Sequence, residues 1–416
     1  MQGICLAEIP SVSLAKLDCP LVQPPPALIA MPPLPQTQVS VIVPVRNEAA
    51  TLPQTLLALA NQVDFEGKPL DWKNYEVLVF ANNCTDDSAA IARRFAHQHP
   101  KLQLHVIEQA LPEGEAHIGR VRQMLMDEAY RRLHSLGQPT GIMASTDGDS
   151  RVDHRWVAAL RYEIACGADA VGGRTVTDQA ERAALDQATK AAYLRFVGYR
   201  YLIKQLESCL DPDPFDQAPR HYQFFGANFA VTQQMYAQAG GMPLVRSAED
   251  VAFHRAIVKA GAKVRHSALM RVTTSARCQG RATLGLADRL SQFQALGQRR
   301  ESFWVESAAA VEAKLLARRD LRRHWIQATR DPLPSALTAQ HVERLATRLA
   351  VPPTDLHRAI AQAMTVGDLF QRVEQCQQTF GLWQQRWATV PIEVAIADLR
   401  LSLSQWRHRA SRSGRS

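Results

Sequence analysis

From Val39 onward, short β-branched apolar runs alternate with longer segments in which apolar residues recur at helical spacing. VSVIVPV, YEVLVFA, LQLHVIE and GIMAST each read as a buried strand. Their alternation with amphipathic segments predicts a βαβ succession with a mostly parallel sheet. The helix after the first strand is expected to open near Thr51, with Pro53 in its first turn, and the next from the Asp- and Ser-rich NNCTDDS. The strand ends then sit beside helix N-termini, where anions bind readily.

The flanks follow other patterns. Residues 20–36, PLVQPPPALIAMPPLPQ, carry seven prolines, which favour an extended chain and deny ladder donors. Residues 1–37 are therefore expected to form a leader outside the core. Beyond about Leu284 the strand signals vanish, and a Gln-, Arg-, Ala- and Leu-rich sequence keeps helical periodicity as far as Trp406, broken at DPLP (331–334) and VPP (351–353). The expected organisation is a leader at 1–37, an α/β domain at 38–285, and a helical region with a basic tail at 286–416.

A chain of 416 residues that is 46% hydrophobic is long enough for one large domain plus additions. Its seven scattered cysteines show no spacing of a disulfide framework or zinc knuckle, which fits a reducing cytosol. Apolar stretches fall well short of the roughly 20 residues a membrane span needs, and the first thirty-odd residues lack the pattern of a secretory signal. A cytoplasmic protein is expected, with peripheral contact at the inner face of a membrane left open. The net charge of +8 favours anionic partners: nucleotide diphosphates, lipid head groups or nucleic acid.

Chemistry enters at MASTDGDSRV, residues 143–152, where Asp147 and Asp149 follow an apolar run at the ligand-binding edge of an open sheet. Two such carboxylates can reach a divalent cation and a ribose hydroxyl together, with Gly148 allowing a tight turn. Asp and Gly also dominate ordinary turns, so the pair alone decides nothing. Two further polar turns join it: VSVIVPVRNEAATL, with Pro44, Arg46, Asn47 and Glu48, and VLVFANNCTDDSAAIA, with Asn82. SAEDVAFHRAIVKAG then sets Glu249 and Asp250 in the first turn of a helix, with Ser247 as the expected cap.

Taken together, VIVPVRNEAATL, NNCTDDSAAIA, STDGDSRV and AEDVAFHRAIVKAG resemble, in order, the motifs of glycosyltransferase family 2, over roughly residues 38–285. The resemblance implies a GT-A fold: α/β, Rossmann-like, a mostly parallel sheet with flanking helices, followed here by the C-terminal helical appendage. It implies transfer of a sugar from a nucleoside-diphosphate sugar to an acceptor hydroxyl, with inversion. Pro44, Arg46, Glu48 and Asn82 would line the donor pocket and Asp147 would lie near the ribose and diphosphate. Asp149 would bind a divalent metal, Mn2+ or Mg2+. Asp250 would be the general base, with Glu249 orienting it or the acceptor. Family members often have aspartate where Asn82 stands and an apolar residue where Arg46 stands, which leaves the base open.

Other segments extend this picture. In EGEAHIGRVRQMLMDEA, a loop feeding a long helix, Arg120 is the candidate diphosphate contact; its alternative is a solvated helix face with Asp127 and Glu128 as partners. In VTTSARCQGRATLG, Arg277 and Arg281 are candidates to neutralise the departing diphosphate. His266 is a possible further metal ligand and is left out of the metal site, because a lone histidine beside a strand is more often packing.

Two other functions compete. A sugar-phosphate nucleotidyltransferase shares the sheet and the aspartates, but VIVPVRNEAATL lacks a phosphate-gripping glycine. A non-catalytic nucleotide- or nucleic-acid-binding protein is suggested by the tail WRHRASRSGR, without the motif of a nucleic-acid module. Arg318, Arg319, Arg322, Arg323 and Trp325 could rest on an anionic bilayer or form a solvated helix face. The acceptor (glycan, lipid or small molecule) and the oligomeric state are not legible.

Overall fold

The structure is a computed structural model that describes residues 27–137, 140–280, 284–330 and 339–413. The elements up to the end of the sheet are β1 (Val39–Val45), α1 (Leu52–Ala60), β2 (Tyr75–Asn82), α2 (Ser88–Gln98), β3 (Gln103–Gln109), α3 (Ile118–Ser135), β4 (Ile142–Ser145), β5 (Ser150–Val152), α4 (Trp156–Ala165), β6 (Ala170–Thr177), α5 (Gln179–Ala184), α6 (Gln187–Leu210), β7 (Phe229–Thr232), α7 (Gln233–Gln238), α8 (Glu249–Lys259) and β8 (Val264–Thr274). These strands form one sheet in the order β3-β2-β1-β4-β7-β6-β8-β5.

The first half of that sheet is the expected parallel βαβ array, with β1 between β2 and β4. The second half is mixed: β7 runs antiparallel to β4 and β6, and β5 antiparallel to β8. Alternating side chains of β1 serve two cores. Val39, Val41, Val43 and Val45 pack with Leu52, Leu56 and Leu59 of α1. Ile42 faces the other layer, with Leu125 and Met126 of α3, Tyr236 of α7 and Phe253 of α8.

A buried ion pair ties α3 to the sheet: Arg132 Nη2 donates to Glu76 Oε2 at 2.6 Å, and its Nη1 to the Met31 carbonyl, also at 2.6 Å. Met31 falls in the final stretch of the proline-rich segment. There the Leu28 backbone N–H also donates to Glu128, and Leu28 and Ile29 pack against the α3 core.

Beyond the sheet come α9 (Leu286–Arg299), β9 (Trp304–Glu306), α10 (Ala308–Arg330), α11 (Ala339–Leu349), α12 (Pro353–Gln362), α13 (Val366–Phe380), α14 (Leu382–Arg386), β10 (Thr389–Pro391) and α15 (Ile392–Ser413). The expectation that strands end at Leu284 needs correction, because β9 and β10 pair as an antiparallel ribbon. Three residues per strand are too few to show period-two alternation. The VPP break separates α11 from α12 as expected, whereas DPLP lies outside the described residues.

This helical region grips α8 from its far end. Thr365 Oγ1 donates to the Lys259 carbonyl at 2.8 Å and Gln371 Nε2 to the Arg255 carbonyl at 2.6 Å. Of the arginines read as a possible bilayer face, Arg323 is exposed and the other three are engaged within the chain. Arg318 lies over the Phe370 ring, Arg319 pairs with Asp320, and Arg322 pairs with Asp211. Among the described residues no helix is long and apolar enough to cross a membrane.

Candidate active site

The loops after β1 and β2 are stitched together by Asn47, whose left-handed backbone (φ 56°) turns the chain out of the strand. The Thr85 N–H donates to Asn47 Oδ1 at 2.7 Å, and Glu48 N–H donates to Ser88 Oγ at 2.8 Å. Glu48 is thereby held at the strand edge, 8% exposed. Its carboxylate takes both arms of Arg277, with Nη2 to Oε1 at 2.8 Å and Nη1 to Oε2 at 3.1 Å.

The Asp147–Asp149 turn lies between β4 and β5, against the same loops. A Cβ on Gly148 would stand 3.1 Å from Val45 Cγ2 and 3.3 Å from Glu48 Cγ, so the close approach suits glycine. The Gly148 carbonyl accepts from Thr55 Oγ1 at 3.0 Å, which pins the turn to α1. Asp149 Oδ2 is 3.0 Å from Arg277 Nη2. Burial, then the Asp147 charge, pushes the Asp149 carboxyl up to about 6, although Arg277 opposes the shift.

Arg122 of α3 closes the site from the opposite layer. Its Nη2 donates to Asp147 Oδ1 at 2.8 Å, its Nε to Glu249 Oε1 at 2.9 Å, and its Nη1 to Ser145 Oγ at 2.6 Å and the Gly226 carbonyl at 2.9 Å. Burial disfavours this charge, yet Asp147 and Glu249 hold the guanidinium ionised beyond its ordinary range.

Asp250 sits one residue beyond that contact. Its Oδ2 accepts from Gly226 N–H and its Oδ1 from Val251 N–H, both at 2.8 Å. Burial and the neighbouring Glu249 raise its carboxyl to about 6. The expected Ser247 cap is corrected: the residue before α8 is Ala248, left-handed at φ 54°, and no side chain caps the helix. The acidic pair of the first turn bonds instead to Arg122 and Gly226.

Glu48, Arg277 and Asp149 thus form one set of contacts, Asp147, Arg122, Glu249, Gly226 and Asp250 another, and the Asp147–Asp149 turn joins the two. Pro44 is buried within β1 opposite Phe80. Asn82 ends β2, 3% exposed, and its Oδ1 has no hydrogen-bond partner among the described residues. Arg46 donates to the Ala116 carbonyl at 3.0 Å. Arg120 bonds Glu115 and Gln123 rather than the suggested Asp127 and Glu128; Asp127 accepts from Tyr236 Oη and Glu128 pairs with Arg131. Arg281 lies outside the described residues. His266 is away from this set, its Nδ1 2.7 Å from Asp216 Oδ2.

Arg122, which organises the site, is the residue the sequence reading passed over in favour of Arg120. The signal was present: Arg122 stands three, four and seven positions before Leu125, Met126 and Ala129, on the buried stripe of α3. A charge on that stripe needs partners, and Arg120 is not on it.

A family model described as Glycosyl transferase family 2 matches residues 40–217, less than half of the chain. No curated protein matches the chain in sequence. Among solved structures, TarS 1-349 of S. aureus is 14% identical at TM-score 0.41, covering 83% of this chain and 91% of that one. The same protein in complex with UDP-GlcNAc is 15% identical at TM-score 0.42, covering 83% and 92%. The mannosyltransferase PcManGT of Pyrobaculum calidifontis, in complex with GDP-Man and Mn2+, is 16% identical at TM-score 0.40, covering 91% and 89%.

Proposed function

We propose, from the match of residues 40–217 to the Glycosyl transferase family 2 model, that the chain is a member of that family and carries out an inverting transfer of a sugar from a nucleoside-diphosphate sugar to an acceptor hydroxyl. The observation that carries the reading is the shared hold of Arg122 on Asp147 and Glu249, at 2.8 and 2.9 Å. It fixes the donor-side carboxylate and the helix bearing the base at one place, as a displacement in line requires.

Asp250 removes the proton from the acceptor hydroxyl as its oxygen attacks the anomeric carbon. The bond from that carbon to the diphosphate breaks, and the nucleoside diphosphate leaves with the electron pair. A carboxyl raised to about 6 is ionised near neutral pH and still basic enough for this role. Arg277, between Glu48 and Asp149, supplies positive charge on the diphosphate side. Asn82 Oδ1, buried without a partner among the described residues, is the acceptor atom for the N–H of a nucleotide base.

The family resemblance brings with it a divalent cation. Asp147 and Asp149 have the hard oxygen chemistry for one, but each is paired with an arginine. Among the described residues no group of three or more His, Cys, Asp or Glu side chains is placed to hold a metal ion. A cation at Asp149 would have to displace Arg277 from that carboxylate, and it would supply positive charge to the departing diphosphate.

The test is a thermal-shift screen of nucleoside diphosphates and their sugars, followed by the anomeric configuration of the product. Stabilisation by a nucleoside diphosphate and an inverted product are expected. Retention of configuration, or pyrophosphate release from a nucleoside triphosphate, would overturn the reading.

A further inference from the structure

A second cluster of charged and aromatic side chains leads away from the loop that binds Asp250. Phe225 precedes Gly226, whose N–H binds Asp250, and its ring is 38% exposed. It meets Tyr222 edge-on at 6.4 Å between centroids, and Tyr222 meets Tyr201 of α6 at 5.3 Å. Arg200 of α6 lies over the Tyr222 ring, its Cζ 5.1 Å from the centroid. One turn earlier on the same helix, Phe196 lies under Arg289 of α9 at 4.6 Å.

Neither guanidinium forms a hydrogen bond or ion pair among the described residues, in contrast to those of Arg122, Arg132 and Arg277. Asp288, next to Arg289, accepts from the Leu284 N–H instead. Burial, then the charge of Arg200, lowers the affinity of Arg289 for its proton, as two guanidinium groups without a shared anion must. Stacking on a ring occupies the flat face of a guanidinium and leaves its edge N–H donors free. Phe196 and Arg200 stand one turn apart on α6, which brings the two stacked arginines to one stretch of that helix, and free guanidinium edges match an oxyanion, whose lone pairs accept several N–H bonds at once.

We propose that Arg200 and Arg289 form an oxyanion site for the acceptor, so that the hydroxyl compound deprotonated by Asp250 carries a phosphate or carboxylate group, with the Phe225–Tyr222 rings lying between that group and the base. This rests on Asp250 being the base. It adds the chemical class of acceptor, which the catalytic residues alone do not specify. A charged acceptor held by fixed donors also gains orientation for the attack.

The test is calorimetric titration of inorganic phosphate and, separately, of acetate into the full chain and its Arg200→Gln, Arg289→Gln and Arg277→Gln variants. A nucleoside diphosphate is titrated in parallel. At least one anion is expected to bind the wild type and to weaken by about tenfold in Arg200→Gln and Arg289→Gln, the loss of one charge-assisted bond. Arg277→Gln should keep that binding. Phosphate alone identifies a phosphorylated acceptor, and acetate alone a carboxylated one. Arg200 is exposed, so its variant carries the test even where Arg289→Gln fails to fold. Anion binding that survives Arg200→Gln but vanishes in Arg277→Gln, or no anion binding at all, overturns the proposal. Nucleoside diphosphate binding without the anion site leaves the transferase reading standing, and the anion site without nucleotide binding removes that reading instead.

Discussion

Arg122 Nε donates to Glu249 Oε1 at 2.9 Å across 127 positions of sequence, and the same guanidinium reaches Asp147. Removing it would leave Glu249 buried and unpaired. Arg122→Gln should cost about 3–5 kcal/mol of stability, read from denaturant unfolding. Arg122→Lys should recover little, because one ammonium cannot span Asp147, Ser145 and Glu249 at once.

Gly226 is the hinge of that contact. A Cβ there would lie 2.6 Å from Arg122 Nη2 and 2.8 Å from its Cζ. Gly226→Ala should displace the guanidinium and lower kcat by about 100-fold, with nucleoside diphosphate affinity retained. Steady-state rates alongside nucleotide titration would check this, and a variant of wild-type kcat would contradict it.

The raised carboxyl of Asp250 makes a signed pH prediction. With a native pKa of about 6 against an unfolded value near 4, the folded state holds a proton that the unfolded chain has released between those pH values. Stability contributed by this group therefore falls as pH rises through that window, while activity, which needs the ionised base, rises. Asp250→Asn should abolish turnover, and its unfolding free energy relative to wild type should improve from pH 4 to about pH 7 and level off above that. A constant difference across that range would contradict the shift.

Glu76 titrates with the opposite sign. Burial opposes its charge, but His105, Arg132 and Ser40 hold its pKa down to about 2. Its contribution is present above about pH 4.5 and is lost as pH falls toward 2. Glu76→Gln should destabilise at neutral pH by about 3 kcal/mol and by much less near pH 3, as measured by unfolding at both.

Arg277 bonds Glu48 at 2.8 Å and Asp149 at 3.0 Å, placing a fixed cation on two carboxylates. Arg277→Gln should bind a nucleoside diphosphate about tenfold more weakly. It should bind Mn2+ more tightly than wild type does, because the carboxylates lose their counter-ion. Titration of each ligand into both proteins separates the two effects.

The sheet was legible because β1 and β2 are buried throughout, and VSVIVPV reads as a core strand without knowledge of its neighbours; LQLHVIE, read as buried, is instead the partly exposed edge strand β3. The four motifs gave Glu48, Asp147, Asp149, Glu249 and Asp250, and the segment VTTSARCQGRATLG gave Arg277, whose side chain meets Glu48 and Asp149. What escaped was whatever depends on partners distant in sequence. Arg120 and Arg122 look alike until the stripe of α3 is followed to Ala129. Ser247 was the obvious cap, but the side chains of Glu249 and Asp250 are drawn to Arg122 and Gly226, and α8 starts from a left-handed Ala248. Arg200 and Arg289 carry no local signal, since their rings come from Tyr222 and Phe196.

The grip of Thr365 and Gln371 on the Lys259 and Arg255 carbonyls has a mechanical meaning. The helix that presents Asp250 is anchored at both ends, by Arg122 at one and by α13 at the other. Shortening the chain after β8 would strip the far anchor and expose the α8 terminus to water. On the proposed role of Asp250, the base would then sit on a cantilever, so the distal helices would act on the transfer by seating α8.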